Sequence, residues 1–142
     1  MGILSDLIIA NEEDVNAILS APVPSQSFDG LDIKGIDTVK LAMLHGILTD
    51  RTLEDLLPEY DPIAEASEDG PWVFRLPKDL VKKLAQMSEQ DRNLVSNKWA
   101  EIEEFALDGW ELANVQNTLE AICNTAVSAE STGRGLYLWI SL

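Results

Sequence analysis

Residues 136–142 read Leu-Tyr-Leu-Trp-Ile-Ser-Leu, and no other stretch of the chain constrains the fold as tightly. Successive side chains of a strand point to opposite faces of its sheet, so a strand with one wet face alternates apolar and polar residues. Here Leu136, Leu138 and Ile140 fall on one side and Tyr137 and Trp139 on the other. Both faces need cover, which predicts a strand packed on both sides and built in rather than trailing as a tail.

The residues before it carry the clearest helical period. Leu112, Val115, Leu119, Ile122, Cys123, Ala126 and Val127 share one face of a helix from about Glu111 to Ser131, and Gly133 suits the position just past its end. Two further strands are predicted, at Asp6–Ala10 and at Trp72-Val73-Phe74 with Arg75. Helices are expected after an Asn11 cap, after an Asp37 cap over Thr38–Leu48, for a turn or two over Thr52–Leu57, from Pro77 to about Met87, and from Ser88 to about Leu107. Residues 21–30, Ala-Pro-Val-Pro-Ser-Gln-Ser-Phe-Asp-Gly, read as loop. The Thr38–Leu48 segment is apolar around most of its circumference, as a central, buried helix is, with His45 on its narrow polar edge. In the Ser88–Leu107 helix, Leu94, Val95, Trp99, Ile102, Phe105 and Ala106 form the apolar face. A chain of 142 residues fits one domain, 1–142. The expected fold is α+β, helix-dominated, with about five helices on a small sheet that includes the C-terminal strand.

From Gly35 onward the order of features resembles a set of small, acidic bacterial cytoplasmic proteins with no assigned activity. The resemblance rests on Gly35-Ile36-Asp37, Trp72-Val73-Phe74-Arg75-Leu76-Pro77, the Trp99–Phe105 segment and the Leu136–Leu142 ending. It implies a single cytoplasmic bacterial domain. Its motifs are core patterns, so no functional residue is carried over.

Charge narrows the classes of function. Twenty-five acids against ten bases give −15. Phosphate backbones and anionic membrane surfaces are repelled by such a balance, so neither nucleic acid nor membrane is expected as a partner. No segment approaches the ~20 apolar residues of a membrane-spanning helix, the N-terminus lacks a signal-peptide pattern, and a lone cysteine, Cys123, suits a reducing compartment. A cytoplasmic protein is expected. One His and one Cys cannot supply the three or four ligands a zinc site generally uses. Neither a P-loop nor a dinucleotide-binding glycine pattern occurs, and Gly133-Arg134-Gly135 reads as a turn. No cofactor or metal is predicted.

Glu54 to Asp69 holds Glu54, Asp55, Glu59, Asp61, Glu65, Glu68 and Asp69 with no Lys or Arg, punctuated by Pro58 and Pro62. It reads as an acidic surface loop near 54–70 and as the candidate surface for a basic protein partner, with Trp110, beside Gly109 at a helix junction, as an interface anchor. The reading that follows is a non-enzymatic interaction domain in the style of an immunity protein or inhibitor. Two alternatives stand beside it. One is a carboxylate-based enzyme, Mg²⁺-dependent or not, built on Glu101, Glu103, Glu104, Asp108 and Glu111, with Glu104 as the acid to check for burial. The other is an oligomeric structural subunit. His45 and Cys123 are expected to be structural. Six of the ten bases lie between Arg75 and Lys98, which makes the molecule electrically lopsided.

Overall fold

A computed structural model describes residues 3–142. Its spine is the pairing of β1 (Leu4–Ala10) with β5 (Gly135–Ser141), antiparallel in one unbroken register from Leu4 opposite Ser141 to Ala10 opposite Gly135. Three shorter strands extend this pair. β2 (Gly30–Asp32) lies outside β1, β4 (Trp72–Arg75) lies outside β5, and β3 (Ala64–Glu65) pairs with β4 at the far edge. The order is β2-β1-β5-β4-β3, all antiparallel. Thus the strand with two apolar faces occupies the middle of the sheet.

The two faces are covered unequally. Leu7 and Ile9 of β1 and Leu136, Leu138 and Ile140 of β5 enter the main core, beneath the larger helices. Their alternates Ile8, Ala10, Tyr137 and Trp139 join Val73 in a smaller core on the opposite face. That second core is closed by α1 (Val15–Ser20), through Ile18, and by Phe28. A short helix, α2 (Pro24–Ser27), interrupts the predicted 21–30 loop and delivers the chain to Gly30. Gly30 has φ of +156°, and a Cβ there would sit 2.2 Å from the Leu7 carbonyl oxygen, so only glycine lets β2 approach β1.

The main layer contains α3 (Thr38–Thr49), α4 (Leu53–Leu56), α5 (Lys78–Gln86), α6 (Glu89–Ala100), α7 (Glu103–Leu107) and α8 (Leu112–Ser131). Asp37, Thr52 and Ser88 cap α3, α4 and α6 by accepting from the backbone N–H of Lys40, Asp55 and Asp91. α8 lies against β1 and β5 and carries α5 and α6 on its flanks. Gly133, with φ of +66°, ends it as expected.

The α+β architecture agrees with the sequence reading, and three local expectations are corrected. The helix expected over 88–107 breaks at Ile102, whose backbone is extended. The break turns α7 so that Phe105 packs edge-on against Trp99, ring centroids 4.9 Å apart. Leu94 is 58% exposed, and Ala106, Leu112 and Val127 also face outward, because α6, α7 and α8 meet their neighbours along narrower lines than the apolar arcs suggested. The predicted 54–70 loop is instead ordered as α4, a 3-10 turn at Leu57–Tyr60 and β3. Leu56 and Tyr60, one helical turn apart, are both buried and draw that segment onto the core.

α3 is central, as its all-round apolar character implied, yet it also buries Lys40 and His45 completely. Lys40 Nζ donates to the Gly35 carbonyl at 2.6 Å and to Asp108, and it lies over the rings of Phe105 and Trp110. The Lys40 carbonyl accepts from Trp99 Nε1 at 2.9 Å. A buried ammonium needs such partners, since leaving it unpaired would cost several kcal/mol.

Candidate functional site

The acidic segment is a ledge rather than a loose loop. Glu54 and Asp55 project from α4, Glu59 from the 3-10 turn, Asp61 from the link after it, and Glu65 from the edge strand β3. Glu68 and Asp69 occupy a tight turn in which Ser67 Oγ donates to the Gly70 carbonyl and accepts from Asp69 N–H. The turn leads through a cis Gly70–Pro71 bond into β4. All seven acids are exposed. Among the described residues only Glu59 is ion-paired, to Arg51 at 3.1 Å, which leaves six without a cation. Leu57 and Ile63, 42% and 48% exposed, stand among them. Both are surface features the composition of the segment did not single out.

A polar cluster built on the buried His45 and Tyr60 fastens the ledge. His45 is wholly enclosed, correcting its expected place on a polar edge. Its Nδ1 meets the Tyr60 hydroxyl at 3.0 Å and its Nε2 meets Asp79 Oδ2 at 3.0 Å. A carboxylate accepts only, so Nε2 donates to Asp79, and Arg51 Nη2, 3.1 Å from Nε2, donates to the same Asp79 oxygen at 3.3 Å. The Tyr60 hydroxyl lies against the other ring nitrogen, Nδ1. Burial, reinforced by Glu59 and Asp79 and only partly offset by Arg51, drives the Tyr60 phenol far above its ordinary range, so it remains a protonated donor. For Asp79, burial acts to raise the pKa. The His45 hydrogen bond and charge, the Leu80 N–H and Arg51 outweigh it and hold the carboxyl below its usual value. His45 does have an orienting acid, 34 residues away in sequence and thus invisible to local spacing.

Tyr60→Phe tests this fastening. Removing the hydroxyl leaves His45 Nδ1 buried without its hydrogen-bond partner, at an expected cost of about 1–3 kcal/mol. Urea unfolding should register the loss, and amides of residues 53–61 should exchange faster. The Asp79 link is pH-dependent. A carboxyl held low when folded contributes stability above its unfolded value of 3.8, and that contribution fades as pH falls through the lower folded value. The stability gap between wild type and Asp79→Asn, largest near neutrality, should therefore close in acid below about pH 4, as followed by denaturant unfolding across pH.

The other sequence candidates fall elsewhere. Trp110 is half-buried, tilted against Phe105 and packed beside Lys40 at the start of α3. The ledge follows the other end of that helix, about 18 Å away for twelve residues. Glu101, Glu103 and Glu111 are exposed, Glu104 is half-buried, and Asp108 is committed to Lys40. No group of three or more His, Cys, Asp or Glu able to hold a metal is found among the described residues. No helix of the described residues is long and apolar enough to cross a membrane. Cys123 is buried beside Met87, and burial pushes its thiol up to about 11 against a lowering by Arg92. It should resist alkylation at neutral pH in the native protein and react on unfolding, as thiol titration with and without denaturant would show.

No family model and no curated protein matches the chain. Among solved structures it is similar to YfbM from Escherichia coli, described as a protein of unknown function, with a TM-score of 0.50 and 13% identity over 96% of this chain and 99% of that one. At that identity the likeness concerns the fold alone.

Proposed function

We propose that the protein is a non-catalytic, cytoplasmic binding protein whose ledge at residues 53–69 seats a basic protein partner, in the manner of an immunity protein or inhibitor. One observation carries the reading: six acids with no ion-pair partner among the described residues share, with exposed Leu57 and Ile63, a segment locked to the core by Leu56, Tyr60 and His45. Peripheral charge steers a cationic partner into place, while partly exposed apolar side chains supply the contacts that retain it. A segment already ordered loses less entropy on binding than a mobile loop. Trp110 stands outside this surface.

The test is differential capture from lysate of the source cells. Baits are the wild-type protein, a variant with Glu54, Asp55, Asp61, Glu65, Glu68 and Asp69 changed to their amides, and Leu57→Ser/Ile63→Ser. A basic protein retained by wild type at low salt and lost by both variants supports the reading. Equal retention by all three baits, or no basic protein retained by wild type, rejects it.

A further inference from the structure

A second surface has the opposite character. A cleft of about 350 Å³ opens where the end of β4, the first turn of α5, the end of α8 and the start of β5 converge. Leu76, Val81 and Leu136 are among its lining residues, and Arg75, Lys78, Lys82 and Arg134 stand around it with Glu130 as the single acid. Four of the ten bases thus gather at one cavity of a molecule whose net charge is −15. The sequence placed three of these bases within 75–82 and read Arg134 as part of a turn. Antiparallel pairing of β4 with β5 brings them together, since Arg75 lies opposite Tyr137.

The four cations are only lightly neutralised. Arg134 pairs with Asp29 at 3.0 Å and Arg75 with Glu12 at 3.9 Å, and both acids are largely exposed side chains able to swing away. Lys78 and Lys82, one turn apart on the same face of α5, have no ion-pair partner among the described residues. Four like charges around one cleft raise the local concentration of anions there, against the net charge of the molecule. The cavity lies at the lower end of the range of small-molecule sites.

We propose that this cleft binds a small phosphorylated compound through its phosphoryl group, held by Lys78, Lys82 and the guanidinium of Arg134. Arginine supplies a planar fork matched to phosphate oxygens and lysine a mobile point charge. The site is independent of the acidic ledge, and either can fail without the other.

Amide chemical shifts of the full chain, followed during titration with inorganic phosphate and with phenyl phosphate at matched ionic strength, test the proposal. Saturable shifts centred on Lys78, Val81, Lys82 and Gly133–Gly135 are expected with both probes, weakened at least tenfold in Lys78→Gln/Lys82→Gln. Both lysines are exposed, so this variant should retain the wild-type unfolding transition, which is checked in parallel. Phosphate shifts that fail to saturate, that centre elsewhere, or that persist unchanged in the folded double variant overturn it.

Discussion

Trp99→Ala is expected to destabilise the fold by about 3–5 kcal/mol, the range for a large aromatic removed from a packed interior. Trp99 is fully buried and does three things at once. It fills the space between α3, α6 and α7, stacks edge-on with Phe105, and donates from Nε1 to the carbonyl of Lys40. Deletion leaves a cavity, frees Phe105 and removes one partner from the backbone beside a buried ammonium. A domain of this kind has a total stability of only about 5–15 kcal/mol, so a large share of it is at stake. Urea denaturation monitored by circular dichroism is the measurement. A loss near 1 kcal/mol would mean that α6 and α7 collapse onto the vacated space and that Trp99 does not organise this part of the core.

Neutralising the six ledge acids that have no ion-pair partner among the described residues should slow association with a basic partner about 10–10³-fold at low salt. The change belongs mainly to the on-rate, because the long-range field is removed while Leu57 and Ile63 remain. The effect should shrink as salt rises, since charges more than about 8 Å apart are screened at physiological ionic strength. Stopped-flow association across a salt series checks both parts. The fold should tolerate the changes, because all six side chains are exposed and lack ion pairs among the described residues.

Periodic patterns made the fold's frame legible in the sequence. Alternation with two apolar faces placed 136–141 inside the sheet, and the capping residues Asp37 and Ser88 located two helix starts. What escaped depends on contacts between distant residues. The spacing of Leu56 and Tyr60 is helical, but Pro58 lies between them, and only the waiting surface around His45 draws both inward. Asp79 lies in the first turn of α5, and its bond to His45 needs α3 and α5 to pack together. Apolar arcs on α6 and α8 overstated burial for the same reason, since a helix hides only the line its neighbours reach. The acids of the ledge were visible as composition. Their placement on ordered elements, beside exposed Leu57 and Ile63 in the chain, was not.

Hydrogen exchange of the protein with and without the partner retained in the capture experiment addresses the central claim most directly. Protection should concentrate in residues 53–69, with the basic cleft at 75–82 and 133–136 unchanged. Protection centred outside the ledge, or none in a complex that demonstrably forms, would contradict the account.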